Sequence, residues 1–231
     1  KNKTLSLRDY LQRDDKTGII AEFKRKSQSK GIINNVSTVK EVTSAYAEFG
    51  ASGISVLTDK DFFGGSLEDL EEATINEIPL LRKDFIIDEY QVIESKAFGA
   101  EVILLIAACL TKHEVKKLAT FAKYLGLNVL LEVHSEQELE HICNEADVIG
   151  VNNRDLKTFR VDIQRCIDLS PKIPADKIKI SESGIDNFSA IKLLRENGFK
   201  GFLIGEKFMR ENNPGLAFKN FTQALKAELG N

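Results

Sequence analysis

The chain alternates between short apolar runs and longer segments in which apolar residues recur at helical spacing. The first apolar run, residues 19–23, leads straight into a cluster of charges. If this run is a strand, alternate residues share a face, which places Ile20, Glu22 and Lys24 on one side. Burying such charges is costly unless they are paired or used in chemistry. A single stretch of this kind indicates an edge strand with a solvated ion pair. Whether these charges belong to a functional site depends on the rest of the chain.

The same unit of an apolar run followed by a helical segment recurs eight times. Apolar runs without clean alternation are typical of strands that are buried on both faces. N-cap residues such as Thr38 and Thr111, and stop signals such as Gly50 and Gly126, bound the helical segments. The predicted strands after the first one are residues 53–57, 79–83, 101–106, 128–133, 147–152, 177–181 and 201–204. The predicted helices are residues 6–13, 38–49, 88–98, 111–126, 135–143, 162–169, 187–197 and 214–229, with a short turn over 207–210. One more helix begins at Ser66, which with Asp69 three residues later resembles a capping box.

Eight consecutive strand–helix units predict an α/β protein of the (β/α)8 barrel class. We interpret residues 1–231 as a single barrel domain, with residues 1–18 as a short N-terminal lead-in. A doubly wound open sheet is the alternative, but eight units in a row fit a closed barrel better.

Composition excludes several classes of function. The formal net charge of -3 gives no electrostatic reason to bind nucleic acid or an acidic membrane. Cys109, Cys143 and Cys166 are odd in number and widely spaced, which is typical of reduced thiols in a cytosolic protein. No apolar run reaches transmembrane length and the N-terminus lacks a signal-peptide core. We therefore expect a cytoplasmic protein.

Polar side chains stand at the ends of several predicted strands. Active sites of such barrels lie at the carboxyl ends of the strands. The residues at these ends are Glu22, Lys24, Lys83, Glu132, Asn152 and Ser183. Two lysines and two glutamates that converge on one barrel mouth are costly without a task, and a confined site can shift their pKa values toward working pH. The set therefore predicts an acid–base site, although each residue alone fits a surface charge.

A second signal concerns phosphate. Ser183-Gly184 follows the seventh strand, and Gly205-Glu206 follows the eighth strand before the helical turn. Barrels of this class often bind phosphate with backbone amides of these two loops and the adjoining helix. Glycine also serves in ordinary tight turns, so this pattern is only moderately specific.

The three histidines, His113, His134 and His141, show no metal-ligand spacing, and the chain has no dinucleotide-binding glycine fingerprint. We therefore expect no metal site and no cofactor. His134 is close to Glu132 in sequence, but we expect it to be a solvated loop residue.

Seven ordered motifs now carry a resemblance to a known family: IIAEFKRKSQSKG, FFGGS, LLRKDFI, LLEVH, GVNNRDL, SESGI and FLIGEKFM. In this order they resemble indole-3-glycerol phosphate synthases of tryptophan biosynthesis, from about the first strand to the last. The resemblance implies a barrel that closes an anthranilate-derived aminodeoxyribulose phosphate to indole-3-glycerol phosphate, with loss of carbon dioxide and water.

The resemblance also implies roles for single residues. Lys83 would be the general acid and Glu132 the general base, while Lys24 would assist near the substrate carboxylate. Glu22, Asn152 and Ser183 would orient groups around the reacting centre. The implied substrate-binding residues are Ser27, Phe63, Phe85, Leu104, Arg154, Glu182, Gly184, Gly205 and Glu206. Among these, the two glycines would contact the phosphate, and Phe63, Phe85 and Leu104 would form walls for the aromatic ring.

The chain departs from the family pattern at two places. Gln28 stands where the family usually has proline, and most of the family's helical extension before the first strand is missing. Two alternatives stay open. A phosphoribosylanthranilate isomerase would need a cysteine at the end of the first strand, which the chain lacks, and a silent phosphate-metabolite binder would not need Glu132. We expect a monomer whose partner is a small phosphorylated substrate.

Overall fold

Eight parallel strands close into a barrel in the computed structural model of this chain, which describes residues 5–229. The strands are β1 (Ile19–Phe23), β2 (Gly53–Leu57), β3 (Leu80–Lys83), β4 (Val102–Ile106), β5 (Asn128–Val133), β6 (Val148–Asn152), β7 (Ile178–Glu182) and β8 (Gly201–Ile204). Each strand pairs with the next in parallel, and β8 pairs with β1. The predicted (β/α)8 barrel is confirmed, and the open sheet is excluded. Residues 1–4 of the expected lead-in and residues 230–231 lie outside the described part of the chain.

Helices follow most of the strands. They are α1 (Leu7–Tyr10), α2 (Val39–Glu48), α3 (Leu67–Ala73), α4 (Glu89–Ala97), α5 (Lys112–Tyr124), α6 (Gln164–Leu169), α7 (Phe188–Glu196), α8 (Glu206–Met209) and α9 (Pro214–Leu229). Capping boxes begin α2 at Thr38, α4 at Asp88 and α5 at Thr111, because each side chain satisfies amide groups that the first helical turn leaves free. No helix within residues 5–229 is both long and apolar enough to cross a membrane.

The structure corrects two local predictions. The expected helix at residues 135–143 is a short 3-10 helix at Gln137–His141. This segment places no residue fully in the core, and a short helix without such packing is marginal. At the start of α3, Ser66 caps the amide of Asp69, but the Asp69 carboxylate bonds to Arg25 instead of returning to Ser66.

Side chains of the barrel form two hydrophobic layers. One layer fills the space between the strands and the helices, and includes Phe23 and Phe202. The other fills the barrel interior, with Ile20, Leu81 and Leu130 among its members. Leu7 and Leu11 of the lead-in pack into this interior layer. The helix α1 therefore closes the amino end of the barrel and leaves the carboxyl end for chemistry.

A small hairpin follows β1 at the carboxyl end of the barrel. Its two short strands, Lys26–Ser27 and Gly31–Ile32, pair antiparallel. Arg25 anchors its base to Asp69 of α3 through two hydrogen bonds. The hairpin thereby holds Ser27 beside the strand ends.

Candidate active site

A cavity of about 380 Å³ opens at the carboxyl end of the barrel. Its volume falls in the range expected for a small-molecule site. The predicted site residues that line it are Glu22, Lys24, Ser27, Phe63, Lys83, Phe85, Glu132, Asn152, Arg154, Glu182, Ser183, Gly184, Gly205 and Glu206. Strand alternation explains the grouping, because Ile20, Leu81 and Leu130 point into the barrel and their second neighbours Glu22, Lys83 and Glu132 do the same one layer higher.

Lys83 lies among carboxylates in the floor of the cavity. Its Nζ is 3.4 Å from Glu132 Oε2 and 3.9 Å from Glu182 Oε2. Burial opposes the charge of the ammonium, but Glu132, Glu182 and Glu22 outweigh it and raise the pKa of Lys83 above its ordinary value. Lys83 therefore holds a proton at neutral pH, as an acid must.

Glu132 is buried and well supplied with partners. Asn152 Nδ2 donates a hydrogen bond of 3.1 Å to Glu132 Oε1, and Lys83 contacts Oε2. Burial alone favours the protonated form, but the charge of Lys83 and contacts from His134 and Asn152 lower the pKa of Glu132. The carboxylate is therefore ionised and free to accept a proton.

Glu182 behaves in the opposite way. Burial and the neighbouring charge of Glu132 raise the pKa of Glu182 to about 8, so it carries a proton at neutral pH. Its Oε1 has no hydrogen-bond partner within residues 5–229. Gly150 on the adjacent β6 makes room for it, because a Cβ there would lie 2.3 Å from Glu182 Oε1. Two similar side chains thus hold different protonation states a few ångströms apart.

A second ion pair lies at the end of β1. Lys24 Nζ is 2.7 Å from Glu22 Oε1, and Ser55 Oγ donates a 3.5 Å hydrogen bond to Glu22 Oε2. Lys24 keeps 16% of its side chain exposed at the cavity. The pair therefore presents a cation to the cavity and anchors it with a buried carboxylate.

The loop after β7 has an unusual backbone. Ser183 and Gly184 have φ angles of 65° and 74°, a region that side chains other than glycine rarely occupy. Asn153 holds this turn by donating hydrogen bonds to Ser181 Oγ at 3.0 Å and to the Ser183 carbonyl at 3.1 Å. Ser183 and Gly184 both line the cavity, so the backbone of this turn lies at its wall.

Hydroxyl and basic groups surround the same end of the cavity. Ser27 is buried, yet its Oγ has no hydrogen-bond partner in the described part of the chain. A buried hydroxyl without a partner is costly, so a ligand is expected to satisfy it. Lys30 pairs with Glu206 at 2.6 Å, and the further basic residues of this wall are Arg154, Lys207 and Arg210. These groups suit an anion.

Aromatic side chains line the opposite wall. Phe63 and Phe85 reach the cavity as predicted. Leu104 does not, because it lies in the interior layer below and is only 1% exposed. Ile106, two residues later on β4, takes the position in the wall that we expected for Leu104. Strand alternation gives both residues the same face, and only the depth of β4 in the barrel separates them.

Sequence reasoning missed several residues that line the cavity. They include Lys30, Ile106, Leu156, Phe159, Lys207 and Arg210. Leu156 and Phe159 follow Arg154 in the loop after β6, and Lys207 and Arg210 lie in or next to the turn already assigned to phosphate. Position in these loops is the signal that could have found them.

His134 is not the solvated loop residue that we expected. Its side chain is 9% exposed and lies between Glu132 and Glu138. The short 3-10 helix folds back over the end of β5 and brings Glu138 to it.

The sequence of the chain matches a known family. A family model described as indole-3-glycerol phosphate synthase matches residues 1–221. The chain belongs to the indole-3-glycerol phosphate synthase family. Members of this family are carboxy-lyases of tryptophan biosynthesis, and the chain is an enzyme of this class.

Curated relatives agree with the family model. The indole-3-glycerol phosphate synthase of Bacteroides thetaiotaomicron is 48% identical over 211 residues, which are 91% of this chain and 81% of the relative. That of Campylobacter jejuni subsp. doylei is 47% identical over 203 residues, 87% of this chain and 79% of the relative. Among solved structures, 3-hexulose-6-phosphate synthase from Salmonella typhimurium superposes with a TM-score of 0.69 over 91% of this chain and 99% of that one. Its 11% identity makes this a likeness of fold alone.

Proposed function

We propose that the chain converts 1-(2-carboxyphenylamino)-1-deoxyribulose 5-phosphate into indole-3-glycerol phosphate, carbon dioxide and water, with Lys83 as general acid and Glu132 as general base. One observation carries the proposal. A protonated amine and an ionised carboxylate face one cavity 3.4 Å apart, so both reach the same region of a bound substrate.

Ring closure requires an acid. The aromatic carbon that bears the carboxylate attacks the ketose carbonyl carbon, and the carbonyl oxygen takes up a proton as the new bond forms. Lys83 keeps its proton beside the ionised Glu132, which supports it as the donor. Loss of carbon dioxide then returns the electrons of the broken bond to the ring. Lys24, fixed by Glu22, provides a cation for the substrate carboxylate before it leaves.

Dehydration requires an acid and a base. The hydroxyl formed in ring closure leaves as water after a second protonation, and the neighbouring carbon gives up a proton. Glu132 lies ionised beside Lys83, so it has the capacity to take up this proton. Asn152 fixes the other oxygen of this carboxylate, so Oε2 keeps its direction toward Lys83. Together these steps complete the aromatic indole ring.

The remaining groups of the cavity would bind the ends of the substrate. The Ser27 hydroxyl, the turn at Ser183 and Gly184, and the start of α8 after Gly205 suit the phosphate. The aromatic wall described above suits the anthranilate ring. This separation of an anionic and an aromatic end would orient the substrate with its reacting carbons over Lys83 and Glu132.

The purified chain tests the proposal directly. Formation of the indole ring changes fluorescence, so product can be followed continuously at several pH values, with and without a chelator. We expect turnover with and without the chelator, because the proposed mechanism uses no metal and no organic cofactor. We also propose that the active form is a monomer, and size-exclusion chromatography measures its oligomeric state. Tight binding without product would favour the silent binder, and turnover of phosphoribosylanthranilate alone would favour the isomerase.

A further inference from the structure

His134 lies between two carboxylates behind the cavity. Its Nε2 is 3.2 Å from Glu132 Oε1, and its Nδ1 is 3.4 Å from Glu138 Oε2. The backbone amide of His134 also donates a 2.7 Å hydrogen bond to Glu138 Oε2. Glu138 is thereby fixed to the end of β5, and the imidazole has an acid on each side.

This arrangement favours one form of the imidazole. A neutral ring would turn an unprotonated nitrogen toward one of the two carboxylates, whereas the doubly protonated ring presents an N–H to each. Burial disfavours the cation, but Glu132 and Glu138 outweigh it and raise the pKa of His134 to about 9. Neither ring nitrogen has a well-aligned hydrogen bond in the described residues, so the contact to each acid is mainly that of charges.

Other titratable groups near His134 and Glu132 do not remove the preference for the protonated imidazole. On its cavity side, Glu132 also faces Lys83 and the protonated Glu182. The Cys109 thiol faces the same acids from the turn after β4, and burial with their charges raises its pKa, so it stays neutral. Within the described residues, the imidazole therefore faces the carboxylates of Glu132 and Glu138, and Lys83 contacts the other oxygen of Glu132.

We propose that His134 is a positioning residue for the reaction: as an imidazolium it keeps Glu132 ionised and fixes Oε1, so that Oε2 faces Lys83 and the substrate. Glu138 in turn fixes the imidazolium. The inference rests on the proposed role of Glu132 as base. It predicts that His134 acts on the protonation of Glu132 without touching substrate.

The pH dependence of turnover tests the proposal. In the His134→Gln variant a neutral amide replaces the cation, so the pKa of Glu132 should rise. We expect the acidic limb of the kcat profile to move up by about one pH unit or more, since an opposite charge at such distances shifts a carboxyl by about 1–3 units. KM should change less than twofold. The His113→Gln variant is the matched control, because His113 is exposed on α5 and its loss should leave the profile unchanged.

A titration followed by NMR measures the pKa of the His134 imidazole in the absence of substrate. The result is therefore informative even if the proposed substrate is wrong. The chain has three histidines, and the His113→Gln and His141→Gln variants assign their imidazole signals. We expect His134 to titrate well above the ordinary value of about 6.5. The Glu138→Gln variant keeps the imidazole, and the titration midpoint of His134 should fall in it. The acidic limb of its kcat profile should move up by less than in His134→Gln. A His134 midpoint at or below about 6.5, or an unmoved acidic limb in His134→Gln, would overturn the proposal.

Discussion

Replacement of Lys83 by methionine should nearly abolish turnover and leave substrate binding in place. Methionine is unbranched and flexible, so it can fill the space of the lysine stem without supplying a proton. The variant removes the ammonium that lies 3.4 Å from Glu132 and 3.9 Å from Glu182. The variant leaves in place the aromatic and phosphate contacts that we propose for the substrate.

The size of the effect follows from the role of Lys83. A general acid contributes about 10²–10⁴-fold, or roughly 2.7–5.4 kcal/mol of barrier at about 1.36 kcal/mol per factor of ten. Loss of the ammonium also raises the pKa of Glu132, because its strongest favourable charge has gone. Removing one member of a buried ion pair costs stability of about 3–5 kcal/mol. Proton uptake by the carboxylates left behind reduces that cost, so we expect a fall in Tm of up to about 10 °C for a chain of this size.

Two assays separate catalysis from folding. Fluorescence gives kcat, and calorimetric titration of the slow variant with intact substrate gives Kd. The exposed Lys116→Met variant on α5 serves as the control, because it removes an ammonium from the surface ion pair with Glu145, away from the cavity. It should keep the wild-type kcat and nearly the wild-type Tm. A Lys83→Met variant within a few-fold of the wild-type kcat would refute Lys83 as the acid.

Two further predictions concern the substrate end and the stability of the chain. Ser27→Ala should raise KM about 10–100-fold with kcat and Tm little changed, because a hydrogen bond to a charged group is worth about 1.5–3 kcal/mol and the Ser27 hydroxyl has no partner within residues 5–229. The control is Ser189→Ala, which changes an exposed serine on α7. An unchanged KM in Ser27→Ala would contradict the assignment. Glu182 has a pKa raised to about 8 in the folded chain, so its contribution to stability is lost as pH rises from about 4.5 toward that value. Glu182→Gln should therefore lose less Tm than the wild type between pH values of about 5 and 8.5, measured by thermal denaturation, and parallel curves would show that the group does not titrate there.

Local sequence determined the barrel fold and most of the predicted residues that line its cavity. Apolar runs separated by capped helices predicted eight strands, and α5 begins with the Thr111 capping box that its sequence indicates. Alternation along β1, β3 and β5 gives Glu22, Lys83 and Glu132 the interior side that Ile20, Leu81 and Leu130 occupy. These features depend on residues that are close in the sequence. In a parallel barrel the carboxyl ends of all strands meet at one rim, so residues at the strand ends are also close in space.

Tertiary structure decided what depends on depth and on contacts between distant segments. Leu104 and Ile106 share a face of β4, yet only the latter reaches the cavity, because the stagger of the strands sets the layer of each side chain. The 3-10 helix that replaces the expected helix after β5 brings Glu138 to His134, which encloses the imidazole between two acids. Glu132 and Glu182 have the same side chain, are both buried, and have opposite shifts of pKa. Glu132 has the nearer contact with Lys83 and further contacts from His134 and Asn152, whereas at Glu182 burial and the charge of Glu132 outweigh the more distant ammonium. Charge states therefore follow from three-dimensional neighbours, since electrostatic interactions depend on distance in space and on burial.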